Sequence, residues 1–144
     1  MMKKTLWVAL LVVVLSALVL SACGGGGGTS KQRQSPPADY ANVTNPFDGQ
    51  ADAIAQGKEL YTTNCATCHG DNADGNGPAG AALDPKPANL ATTAKETDAA
   101  YTHWVIAEGG AAAGLSSSMV AYKGILSDDD ILKIVAYLEA TYGK

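Results

Sequence analysis

Hydrophobic residues are spread very unevenly along this chain. From Leu6 to Leu20 the run LWVALLVVVLSALVL is apolar at nearly every position and follows Lys3 and Lys4, the charge-then-apolar order of an export signal. It stops at Ser21-Ala22-Cys23, short of the roughly twenty apolar residues that a membrane-spanning helix needs. Residues 1–22 are therefore expected to be a cleaved signal peptide. Residues 24–50 (GGGGGTSKQRQSPPADYANVTNPFDGQ) are rich in Gly, Ser, Pro and Gln and show no apolar period. With Cys23 they read as a flexible linker over 23–50 in which no core forms, with a stretched reach of roughly 90 Å.

Helical periodicity starts at Ala51. In ADAIAQGKELYTTN, Ile54, Gly57, Leu60 and Tyr61 share one face, which predicts a first helix over 51–64. Four glycines and three prolines between Gly70 and Asn89 predict an extended loop. Apolar residues resume in TDAAYTHWVIAE (97–108), with Thr97 as N-cap and Gly109-Gly110 as the stop. A second loop, 110–124, carries Met119. The last segment, LSDDDILKIVAYLEATYGK, has Ser127 as N-cap, three aspartates at the positive end of the helix dipole, and Ile131, Ile134, Val135 and Leu138 on one face. No stretch alternates at period two over a useful length. Residues 51–144 are thus expected to form one small all-α domain.

Composition adds two facts. Loss of residues 1–22 moves the formal charge from −4 to −6, since two lysines leave and no acid does. An acidic exported protein is repelled by nucleic acid and by bare anionic lipid, so neither is an expected partner. The chain also has three cysteines, an odd number.

Two of them lie in Cys65-Ala66-Thr67-Cys68-His69, the C-x-x-C-H pattern of covalent c-type haem attachment. Two thiols at this spacing reach the two vinyl groups of one porphyrin, and the following imidazole becomes the proximal iron ligand. A redox dithiol would want a βαβ setting, and a zinc site would want a second Cys or His pair; beyond His69 only His103 remains, inside a helix and expected to be partly exposed. The long Gly/Ala/Pro loops leave the domain short of large apolar side chains, so one bound haem c would supply much of its core. Once Met1 and Met2 leave with the signal, Met119 is the sole methionine. As a soft, neutral thioether it is the expected distal ligand, with a gap-filling core role as the bland alternative.

This order of features resembles the bacterial class I cytochromes c over residues 51–144. The resemblance implies a fold in which the N- and C-terminal helices cross, with Gly57 and Tyr61 on the first helix against Ile134 and Tyr137 on the last. It implies a proline carbonyl holding the proximal imidazole, with Pro85 favoured over Pro78 and Pro87, and Leu90 of PKPANL packed on the haem. Tyr101, Trp104 and Tyr122 are propionate partners or plain core aromatics. Where the family usually reads Met-Pro, this chain reads Met119-Val120. With both axial positions filled, the expected activity is outer-sphere electron transfer without catalytic residues, for a respiratory or photosynthetic carrier or a cytochrome subunit of a membrane oxidoreductase. The entry NPFDGQADAIAQGKELY is similar to that of the lipoprotein cytochrome subunit of alternative complex III. A peroxidase-like haem enzyme with a labile sixth ligand is the alternative; His103 would be its base. The partners implied are redox proteins and, through the third cysteine, a membrane: Leu20-Ser21-Ala22-Cys23 is similar to the lipobox of bacterial lipoproteins, which makes Cys23 a lipidation site and the protein extracytoplasmic.

Overall fold

The computed structural model describes residues 33–143. The expected signal peptide and Cys23 lie outside the described residues. The described chain is helical, with α1 (Ala38–Ala41), α2 (Ala51–Asn64), α3 (Ala66–His69), α4 (Leu90–Glu96), α5 (Ala99–Glu108) and α6 (Asp128–Tyr142), plus 3₁₀ turns at Gly80–Ala82 and Gly110–Ala113. Among the described residues no strand forms; Lys123 and Leu126 make one isolated bridge.

Helix α6 is built as its sequence dictates. The Ser127 hydroxyl accepts the Asp130 amide at 3.1 Å, satisfying one of the free N–H groups of the first turn. Ile131, Ile134, Val135 and Leu138 are then buried, Val135 completely. Helix α2 has a much narrower buried stripe of Ala53, Gly57 and Tyr61. At Gly57 the two helices meet backbone to backbone. A methyl there would lie 2.6 Å from the Lys133 carbonyl carbon and 3.1 Å from Tyr137 Cβ, so only glycine admits the crossing. One turn on, the Tyr61 and Tyr137 rings pack tilted at 5.4 Å.

Helix α5 is buried almost all round, from Tyr101 through His103 to Ala107. Its N-cap is Asp98, whose carboxylate accepts the Tyr101 amide at 2.8 Å, one residue later than the Thr97 expected. Tyr101, Trp104, Val105 and Ala113 form a small second core, against which Tyr40 and Met119 pack. Helix α4 was not anticipated, and its start is an ordinary cap: Asn89 Oδ1 accepts the Thr92 amide at 2.9 Å.

The largest departure concerns residues 33–50. Composition assigns them to a linker, yet the compact unit begins at Arg33. Arg33 pairs with Glu96, the Tyr40 hydroxyl donates to Glu108, and Asn45 Nδ2 donates to the Leu132 carbonyl at 2.9 Å. Lys133 Nζ stands 5.5 Å over the Phe47 ring. A few polar and aromatic anchors hold this strap down, and they require no periodic apolar face.

Candidate haem site

The site grows out of the C-terminal end of α2. Cys65 ends that helix, its amide donating to the Tyr61 carbonyl at 2.8 Å, and α3 restarts at once as a single turn carrying Cys68 and His69. The buried Tyr61 hydroxyl donates to the Gly70 carbonyl at 2.7 Å and fixes the exit from that turn. The following loop folds back onto the turn's backbone: a Cβ at Gly77 would sit 2.6 Å from both the Ala66 oxygen and the Cys68 carbonyl carbon. Gly77 N donates to Cys68 O at 3.1 Å and Ala79 N to Thr67 O at 2.9 Å. The C-x-x-C-H turn is therefore held from both sides.

Cys65 and Cys68 are unpaired and half-buried. Burial, reinforced by Cys68, pushes the Cys65 thiol up to about 12. A redox dithiol needs the opposite shift, so this microenvironment disfavours that chemistry. The His69 ring is oriented by its Nδ1, 3.0 Å from the Ala88 carbonyl. Because a carbonyl only accepts, Nδ1 carries the proton and the lone pair of the neutral ring lies at Nε2. Burial lowers the His69 pKa, with the Ala88 bond opposing, which favours the neutral ligand-competent form.

The orienting carbonyl thus belongs to Ala88, three residues beyond the expected Pro85. The acceptor is a main-chain oxygen, and in D-P-K-P-A-N the carbonyl presented to His69 is the one immediately before the Asn89 cap of α4. Pro85 is exposed, whereas Leu90 is half-buried and packs on the main core. Tyr122 donates its hydroxyl to the Asn64 carbonyl at 2.6 Å. That bond ties the methionine loop to the end of α2, next to Cys65. Burial first, and then the nearby Cys65 and Cys68, raise the Tyr122 pKa.

Met119 is half-buried and packs on both cores. Its carbonyl accepts the Gly110 amide at 2.9 Å, while Tyr122 N and Lys123 N donate to Ile106 O and Ala107 O, each at 3.0 Å. The loop is thereby docked on the C-terminal end of α5. Tyr101 and Trp104 are core aromatics in edge contact at 6.0 Å. His103 corrects the expectation of partial exposure. It is 3% exposed, with Nε2 2.7 Å from Asp128 Oδ1 and Nδ1 without a partner among the described residues.

The cytochrome c family model matches residues 54–141, which takes in the C-x-x-C-H turn, the methionine loop and both crossing helices. The chain belongs to the cytochrome c family. Its fold is that of a small class I cytochrome c, and it is similar to cytochrome cL from the marine methylotrophic bacterium Methylophaga aminisulfidivorans. That match has a TM-score of 0.54 and 24% identity, and covers 81% of this chain and 72% of the other. No curated protein matches the chain. As a family member this cytochrome binds haem c covalently and transfers electrons. The residues present fit that group: two free thiols at the required spacing and one imidazole with its proton held away from the ligand nitrogen.

Proposed function

We propose that this cytochrome is a lipid-anchored, extracytoplasmic electron-transfer protein with one haem c attached at Cys65 and Cys68. His69 is its proximal ligand, Met119 its distal ligand, and its partners are membrane-associated redox proteins. The observation that carries the reading is the His69–Ala88 hydrogen bond, which fixes the imidazole tautomer and points Nε2 away as ligand. When bound, haem would supply a one-electron ferric/ferrous couple, and ligation by the Met119 thioether together with the His69 imidazole would favour the ferrous side. The chain's own residues orient the His69 ring through the Ala88 carbonyl, and Met119 and Cys65 pack against the buried core of Tyr61, Ile106, Ile131 and Val135. With His69 and Met119 both bound to iron, no position would be left for a substrate, which favours outer-sphere transfer over peroxidase-like chemistry.

Anchoring rests on the sequence Leu20-Ser21-Ala22-Cys23 after an apolar run. Lipid on Cys23 would hold the domain at the membrane, each buried CH₂ contributing about 0.8 kcal/mol. Among the described residues no helix is long and apolar enough to cross a membrane.

The test is a redox-titrated spectrum of the membrane fraction and of the purified protein. A c-type band with a methionine charge-transfer feature is expected, and Met119→Ala removes that feature and lowers the potential. An unchanged spectrum and potential in that variant would refute the ligand assignment; mass spectrometry showing an unmodified Cys23 would refute the anchor. Co-purification in fixed stoichiometry marks a complex subunit, such as that of alternative complex III, and its absence marks a carrier.

A further inference from the structure

The strap touches the methionine segment at both ends. Where the 3₁₀ turn Gly110–Ala113 hands over to that segment, the Gln34 side chain lies across Gly114, close enough that a Cβ there would be 2.7 Å from its amide nitrogen. At the other end, Glu108 Oε1 accepts from two donors at once: the Tyr40 hydroxyl at 2.5 Å and Lys123 Nζ at 2.9 Å. Met119 lies between these two points. Within the segment, Leu115 N donates to Gly110 O at 2.8 Å and Gly110 N to Met119 O at 2.9 Å, which holds the main chain, while the Leu115 and Val120 side chains are 49% and 56% exposed and add little packing of their own. Tyr40 also packs against the same two cores as Met119, and its ring lies 5.4 Å from that of His103.

We propose that Tyr40, acting through Glu108 on Lys123, is a positioning group that keeps the Met119 loop closed on the iron. The strap is then part of the distal ligand's support. The two hydrogen bonds share one carboxylate oxygen on the last residue of α5. That residue follows Ala107, the backbone acceptor for Lys123 N. Side chain and main chain therefore brace the loop at the same place. The Tyr40 hydroxyl first and Lys123 second hold the Glu108 carboxyl below its ordinary range, so it stays an acceptor at neutral pH. This inference rests on Met119 being the distal ligand.

The test uses the full-length, haem-loaded protein in its ferric form with imidazole as the probe, because imidazole binds iron only when the thioether has left. Apparent affinity then reports the open-loop population directly. Tyr40→Phe keeps the ring packing and removes one hydrogen bond to a charged acceptor. It is expected to tighten imidazole binding about tenfold, the order of one such bond after allowance for solvent screening. Glu108→Ala removes both bonds and tightens it at least as much. The double variant does no more than Glu108→Ala alone, since both substitutions cut the same connection. Asn45→Ala releases the strap from α6 away from the loop, and is expected to lower the melting temperature while leaving imidazole affinity at the wild-type value.

Wild-type imidazole affinity in both Tyr40→Phe and Glu108→Ala, beside an intact methionine charge-transfer band in the parent, overturns the role alone. So does an equal gain in Asn45→Ala, which would mean that general loosening opens the loop. A parent without the charge-transfer band overturns the ligand assignment, and this role with it.

Discussion

The crossing of α2 and α6 at Gly57 sets two effects against each other in a single substitution. Gly57→Ala raises helix propensity in the middle of α2, worth about 1 kcal/mol of added stability. The new methyl, however, arrives 2.6 Å from the Lys133 carbonyl carbon, where carbon–carbon contact needs about 3.5 Å. Lys133 presents backbone there, and Tyr137 Cβ at 3.1 Å is fixed to backbone, so no flexible side chain can yield. The helices must separate by about 1 Å, which loosens the tilted Tyr61–Tyr137 pair and the buried Ile131 and Ile134 beside it. Overpacking of this kind costs about 3 kcal/mol at the upper end of its range. The net loss is about 2 kcal/mol, a fall of about 8 °C in melting temperature for a domain of this size. Thermal unfolding of the haem-loaded protein followed by circular dichroism measures it, with Gln56→Ala on the exposed face of the same helix as the propensity control. A Gly57→Ala protein that melts at or above the wild-type temperature would show that propensity wins and that the crossing has slack.

Other parts of the fold make separate commitments. Ser127→Ala removes the α6 cap and is expected to cost about 1 kcal/mol in denaturant unfolding. Tyr122→Phe leaves the Asn64 carbonyl without its donor and is expected to cost about 1–2 kcal/mol, read in the same assay. Glu108 and Asp130 are held below their ordinary values of 4.5 and 3.8, Glu108 mainly by the Tyr40 hydroxyl and Asp130 mainly by the Ser127 hydroxyl. Their stabilisation is complete above those values and is lost as pH falls through the depressed ones, so a stability–pH profile should fall below about pH 4. Glu139 behaves oppositely: burial, then Asp48 and Asp98, raise its pKa, so its charged form is the one the fold disfavours. Glu139→Gln should therefore be more stable than wild type at pH 7, with the advantage gone at pH 4, and an advantage that persists at pH 4 would rule out charge as its source.

Legibility in the sequence followed the kind of signal each element used. Helix α2 announces itself by a one-sided apolar stripe, and α6 by such a stripe together with a serine cap at its start and Gly143 at its end. His103 could not be placed that way. In α5 residues 103–107 are all buried, so the helix lacks an amphipathic stripe from which one position could be read as in or out. Helix α4 hides behind a proline-rich loop, and only Asn89 three residues before Thr92 marks its start. At the site, the thiols and the imidazole are side-chain chemistry at fixed spacing and are visible in five residues. The group that orients the imidazole is a main-chain carbonyl, which any residue carries, so nothing in the side chain of Ala88 distinguishes it from Pro85. Family resemblance named the role without fixing the position.

The strap changes what the tether can do. Composition alone makes residues 24–50 one leash of roughly 90 Å. Anchors at Arg33, Tyr40 and Asn45 instead assign most of that length to the domain, leaving nine residues, 24–32, after Cys23. Even fully stretched, nine residues cover only about 30 Å. On the proposed lipid anchoring at Cys23, the domain cannot range far above the membrane, and its redox partners must present their own centres close to the bilayer surface. The low-complexity composition that looked like freedom then serves two opposite purposes. On the proposed anchoring and loop support, its glycine half would be spacer and its Pro-Tyr-Asn half would brace the loop that carries Met119.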